Sequence, residues 1–178
     1  MSKMFSFITD TVNPIGGGPC PHECSYCWAN SLKTKHNMAK YRGDYRLYEK
    51  ELRTYLPLNK GNPSFVFVQD MGDIGDPKIP RDIIHEIFNW MHKQPYIKFL
   101  LLTKNPKFYL TYQSWLRPNM YAGVTIESDI IPFKISKAPH PHEREMVMDT
   151  LRINHPEITR FVSIEPIMAF TPNFSGHI

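Results

Sequence analysis

All three cysteines of the chain, Cys20, Cys24 and Cys27, fall within eight residues, in the string Pro19-Cys20-Pro21-His22-Glu23-Cys24-Ser25-Tyr26-Cys27-Trp28. A disulfide scaffold spreads an even number of cysteines through the chain, so this arrangement excludes one. Free cysteines seldom crowd together in this way unless they share a metal. Thiolates spaced C-x3-C-x2-C on one short loop can converge on one small object, and thiolates select iron–sulfur clusters, zinc or Cu(I). A structural zinc normally takes four protein ligands, and no second C-x2-C or H-x3-H pair is present, which leaves His22 or His36 to complete a three-cysteine, one-histidine site. A 4Fe-4S cluster on the same three cysteines would instead leave one iron open to a small molecule.

The rest of the chain must fold around that loop. Its 178 residues suit one domain, residues 1–178, and 42% hydrophobic with 21% charged residues is an ordinary globular composition. Sixteen prolines and nine glycines are spread along the sequence, giving many punctuated segments and no low-complexity linker or internal repeat. No apolar run approaches the ~18 to 20 residues of a bilayer-spanning helix, and Met1 to Asp10 lacks the layout of a signal peptide. A cytoplasmic protein without a membrane partner is expected. The formal charge of +4 and pI near 8.9 are too mildly basic to argue for nucleic acid alone.

Short runs rich in branched and aromatic residues predict buried strands at Ser64 to Gln69, Ile97 to Thr103, Met120 to Ile126 and Thr159 to Ile164, with a first strand over Met4 to Thr11. Between them, Arg81 to Lys93 and Glu143 to Asn154 carry apolar stripes at helical spacing, Pro106 to Leu116 is a shorter helix, and Tyr45 to Leu56 is expected as the helix after the cysteine loop. Alternating strands and helices predict an α/β fold with right-handed crossovers and a parallel sheet. Such sheets gather their chemistry at the carboxyl ends of the strands. Polar residues fall there: Gln69, Asp70 and Asp73 after strand two, Thr103, Lys104 and Asn105 after strand three, Glu127 and Ser128 after strand four, and Ser163 and Glu165 after strand five.

The C-x3-C-x2-C spacing with an aromatic residue, Tyr26, before the last cysteine resembles the signature of the radical S-adenosylmethionine enzymes. The string Thr11-Val12-Asn13-Pro14-Ile15-Gly16-Gly17-Gly18-Pro19-Cys20, followed by Cys27-Trp28-Ala29, more narrowly resembles the uncharacterised phage-type family of that superfamily. Leu101-Leu102-Thr103-Lys104-Asn105-Pro106, Gly123-Val124-Thr125-Ile126-Glu127 and Ser163-Ile164-Glu165-Pro166 extend the likeness over most of the chain.

The resemblance implies a partial (β/α) barrel of parallel strands and a 4Fe-4S cluster on Cys20, Cys24 and Cys27. The open iron would chelate S-adenosylmethionine, which is cleaved reductively to methionine and a 5′-deoxyadenosyl radical that takes a hydrogen from a substrate. A reductant such as flavodoxin or ferredoxin is implied as partner. By the same likeness Tyr26 contacts the adenine through its backbone, and Met71, Gly72 and Asp73, standing where Gly-Gly-Glu is usual, hold the amino group. Thr103 and Lys104 fall in the same cofactor pocket. The superfamily core has six strands, whereas this sequence stops at Phe174-Ser175-Gly176-His177-Ile178 soon after strand five, so the last strand is expected to be missing.

Glu127 and Glu165 end apolar strands, where a carboxylate is costly without a partner. Lys104 is the natural partner for a structural ion pair. The functional alternative has Glu127 meeting the ribose hydroxyls or sulfonium end of the cofactor, and Glu165 facing the substrate cavity. Asp70, Asp73 and Asp76 lack calcium-loop spacing and suit turn chemistry. One basic stretch, Lys33, Lys35, His36, Lys40, Arg42 and Arg46 interleaved with Tyr41, Tyr45 and Tyr48, is either a solvated face or a surface for phosphates and stacked bases. On the second reading the chain is a zinc-stabilised nucleic-acid-binding module. A relative that keeps the cluster without catalysis is the third alternative.

Overall fold

The computed structural model describes residues 5–55, 64–130 and 135–172. In chain order these form β1 (Asp10–Val12), β2 (Ile15–Gly16), α1 (Trp28–Lys35), β3 (Arg46–Leu47) and β4 (Phe65–Val68). There follow α2 (Arg81–His92), β5 (Lys98–Thr103), α3 (Lys107–Thr111), β6 (Met120–Thr125), α4 (Pro141–Asn154) and β7 (Arg160–Ser163). Strands β1, β4, β5, β6 and β7 make one parallel sheet in that linear order, with Val68 beside Leu101, Leu101 beside Ala122 and Val124 beside Val162. The order follows the chain. A separate antiparallel ribbon pairs β2 with β3.

The period-two alternation of the strands divides the core. Val66, Val68, Phe99, Leu101, Met120, Ala122 and Val124 face one side, where α2 contributes Ile83, Ile84, Ile87, Phe88 and Met91 and α4 contributes Met148 and Leu151. Phe67, Leu100 and Leu102 face the other, where Ile8, Phe5 and Phe161 cover only part of the sheet. Parallel sheets normally have both faces covered by helices. Here α2 and α4 lie on one face, and part of the second is left open for the cavity described below.

The expected strands after the first lie within a residue or so of the observed ones, and a parallel five-stranded α/β sheet is present. The strand expected over Met4 to Thr11 is confined to Asp10–Val12, and Met4 lies outside the described residues. The apolar residues that suggested it are used differently. Phe5 and Phe7 stack at 5.3 Å and pack edge-on against Phe161, capping the second sheet face rather than running along its edge.

The helix expected over Tyr45 to Leu56 is absent from the described part of that span. Arg46–Leu47 is β3, Glu49–Glu51 is a single 3-10 turn, and Leu56 lies outside the described residues. Of its tyrosines, Tyr45 and Tyr48 cover the glycine loop, and Tyr55 donates to Asp10. The helix that follows the cysteines is α1, which buries only Ala29 and so carried no apolar stripe to read. Residues Phe174 to Ile178 also lie outside the described part. No helix among the described residues is long and apolar enough to cross a membrane.

Candidate functional site

The approach to the cysteines is set by two glycines. Gly17 and Gly18 both have positive φ, a conformation that side chains with a Cβ rarely adopt. A Cβ on Gly17 would meet the Asp44 carbonyl, and one on Gly18 would meet the Tyr45 ring. Their backbone N–H groups donate to Lys40 O at 2.9 Å and Gly43 O at 2.8 Å. Tyr45 in turn donates its phenol to Asp76, and burial together with that bond pushes the phenol up. The chain thus enters Cys20 along one path only.

Beyond Cys20 the loop is held on both sides of Cys24. His22 Nε2 lies 2.7 Å from Asp73 Oδ2, and the Tyr26 hydroxyl donates to Glu127 Oε1. A third tie is made by backbone: Ser25 N donates to Ile135 O at 2.9 Å, and Lys137 N to His22 O at 2.7 Å. Each sulfur has a polar neighbour. Cys27 caps α1, its Sγ accepting from Asn30 N at 3.3 Å, and Cys24 Sγ stands 3.1 Å from the Ser136 hydroxyl. Burial pushes the Cys20 thiol up to about 12, against the lowering effect of the His22 backbone N–H.

The three thiols share one cavity of about 1160 Å³, at the upper end of ordinary ligand sites. Cys20, Cys24, Cys27, Tyr26, Met71, Gly72, Asp73, Thr103, Lys104 and Glu165 all line it, together with Phe67, Leu102 and Thr125 from the open sheet face. Glu165 is exposed at the end of β7. Glu127 is the exception among the expected site residues. It is fully buried behind Tyr26 and Lys104 and is not part of the cavity wall.

Two buried carboxylates organise this wall. Asp73 accepts from Gly75 N at 2.7 Å, Lys104 N at 2.8 Å and the Thr103 hydroxyl, besides its contact with His22. Burial alone would raise its carboxyl, but the bond and charge of His22, with the other donors, hold it below the usual range. Glu127 lies 2.7 Å from Arg144 Nη1 and 3.0 Å from Lys104 Nζ, so the expected ion pair with Lys104 is present, reinforced by a second cation. Burial opposes its ionisation, yet the charges of Lys104 and Arg144 bring it down to about 2. Lys104 also sits over the Tyr26 ring, 5.4 Å from its centroid.

The donor set can be tested against the group it would hold. Among the described residues no three His, Cys, Asp or Glu side chains converge closely enough for a single metal ion. His22 Nε2 is bonded to Asp73, which leaves Nδ1 as the ring nitrogen a zinc could take. Three sulfurs open onto one roomy cavity, with backbone or hydroxyl groups beside them, a donor set of the kind that holds a thiolate-bound cluster.

Much of the basic stretch is committed internally. Lys40 pairs with Glu51 at 2.7 Å, and the Arg46 guanidinium donates to the carbonyls of Ala39, Lys40, Arg42 and Asp44. Arg46 is therefore a clamp on the 39–44 turn. Lys33 and Arg42 look into the cavity, Lys33 lying over the Tyr41 ring at 4.7 Å.

Sequence reasoning missed two functional neighbours. Arg144 sits in the expected helix, and its burial beneath Glu127 could have been suspected only from the cost of that carboxylate. Ser136, 112 positions from Cys24, left no signal at all. Neither any curated protein nor any solved structure matches this chain. A family model does, over residues 3–175, and on that match the chain belongs to the family described as protein of unknown function (DUF5131).

Proposed function

We propose that this chain holds a 4Fe-4S cluster on Cys20, Cys24 and Cys27, binds S-adenosylmethionine beside it on a partial parallel barrel, and cleaves it reductively to act on a further substrate. The observation that carries the reading is the shared cavity: three thiols open onto the same space as the polar carboxyl ends of the parallel strands. When bound, the cluster supplies the electron that splits the sulfonium. A cytoplasmic reductant such as flavodoxin or ferredoxin supplies it in turn.

The chain's own residues then have distinct tasks. The segment Met71-Gly72-Asp73 offers the amino-group side of the cofactor, with Asp73 shaped by four donors and so unable to swing. Thr103 is spent on Asp73 and holds that wall rather than the ligand. Lys104 and Tyr26 form the opposite wall, and Glu127 acts through them, because its carboxylate does not reach the cavity. Glu165, at the rim, is on the substrate side.

Anaerobic reconstitution with iron and sulfide is expected to give a brown protein with about four irons per chain. With dithionite and S-adenosylmethionine it should release 5′-deoxyadenosine and methionine, and replacing Cys20, Cys24 and Cys27 by alanine should abolish both colour and products. A colourless protein carrying one zinc would overturn the reading. A brown protein that makes no 5′-deoxyadenosine would leave a cluster carrier without this chemistry.

A further inference from the structure

Ser136 reaches a sulfur from a distant part of the chain, with a hydroxyl as its only side-chain polar group. Its Oγ lies 3.1 Å from Cys24 Sγ, and the residue is 5% exposed. The hydroxyl proton has few places to go. Ala138 N donates to Ser136 Oγ at 3.1 Å, so the oxygen is already an acceptor there. What remains for the O–H is Cys24 Sγ at 3.1 Å or the His22 carbonyl at 3.4 Å. Sulfur hydrogen bonds are longer than those to oxygen, so 3.1 Å is close for the first and 3.4 Å is long for the second. A thiolate, unlike a thiol, has no proton of its own and can only accept, which fixes the direction as Ser136 to Cys24.

The clasp that carries Ser136 is built to keep it there. Ser25 N donates to Ile135 O and Lys137 N to His22 O, so the two neighbours of Ser136 are bonded to residues 22 and 25, which bracket Cys24. We propose that Ser136 is a positioning residue of the iron–sulfur site, whose buried hydroxyl hydrogen-bonds the Cys24 thiolate and raises the reduction potential of the cluster. This rests on the cluster reading above. Reduction adds negative charge to the cluster and its sulfurs, a donor aimed at one of them favours the reduced form, and the buried position keeps water from replacing it. Cys27 differs, since its donor is the Asn30 backbone N–H, which only proline at that position would remove.

The test is potentiometric titration of the reconstituted protein, followed by electron paramagnetic resonance, with iron counted on each sample. Ser136→Ala should keep its iron and become harder to reduce, with roughly three- to tenfold less reduced cluster at a fixed potential, where tenfold is about 59 mV for one electron. Ser136→Thr, which keeps the hydroxyl, should titrate like the wild type. A full complement of iron with an unshifted potential in Ser136→Ala overturns the assignment while leaving the cluster reading intact. Should Ser136→Ala lose iron, retention of iron and potential by Ser136→Thr supports the hydroxyl, and equal loss in both variants overturns it in favour of packing. A wild-type protein that takes up no iron overturns both proposals together.

Discussion

His22 on Asp73 and Tyr26 on Glu127 fasten the two ends of the same short loop, yet the two carboxylates are accommodated by different physics. Asp73 is surrounded by short-range donors, two of them backbone N–H groups fixed by the turns after β4 and β5. Glu127 is met by two full charges, Arg144 and Lys104, delivered from α4 and the end of β5. Short of proline, substitution leaves a backbone donor in place, whereas a buried cation can be removed, and its loss strands the charge it served. The Glu127 end of the loop is thus the more fragile fastening.

Removing one cation should expose that fragility most. Arg144→Met leaves Glu127 buried with Lys104 alone and frees the carbonyls of Thr125 and Pro139 that Arg144 also satisfied. A loss of about 3 to 5 kcal/mol is expected, read as a lower midpoint in urea. A loss within about 1 kcal/mol would mean that Lys104 by itself balances the carboxylate.

Acid should produce the next effect, and it separates the two ends. Glu127 titrates at about 2 in the folded chain against an ordinary 4.5, so its contribution is complete above about 4.5 and is lost as pH falls towards 2. Asp73, held below its ordinary 3.8, loses its share in the same direction but from a lower starting point. Melting temperature should therefore fall between about pH 5 and pH 3 in the wild type. In Glu127→Gln the fall should be shallower, leaving only the Asp73 share and that of other carboxylates. An equal slope in both proteins would assign the acid sensitivity elsewhere.

The smallest effect belongs to Tyr26→Phe. It removes one hydroxyl while both cations remain on Glu127, so a stability loss of about 0.5 to 1.5 kcal/mol is expected. Its sharper readout is iron stoichiometry after reconstitution. If the tie positions the loop, less iron is retained than in the wild type at equal protein folding, and unchanged retention would reduce the Tyr26 contact to packing.

What could be read from the sequence follows from how local each signal is. The strands after the first declare themselves because Phe65 to Val68 and Lys98 to Thr103 are apolar at nearly every position, as a parallel core requires. The cysteines and the polar strand ends were legible for the same reason, being adjacent in sequence. The 45–56 span misled because Leu47, Tyr48, Leu52 and Tyr55 at helical spacing are indistinguishable, on paper, from side chains placed one by one, Tyr48 over Gly16 and Tyr55 on Asp10. Helix α1 was hidden by its polarity, its start resting on Cys27 as cap rather than on serine or aspartate. Arg144 and Ser136 act across 17 and 112 positions, and no pattern within one segment encodes such a partner.

The clasp of residues 135–138 over the cysteine loop has a consequence in time. At ordinary rates of synthesis, roughly 5 to 20 residues per second, the segment that completes the loop's hydrogen bonds leaves the ribosome on the order of 5 to 20 s after the cysteines do. During that interval the three thiols exist without Ser136, without Glu127 and without the β6 end of the cavity. On the proposed cluster reading, loading of the site waits for residues 135–138, and a nascent fragment that stops short of residue 135 should bind metal loosely or in the wrong form.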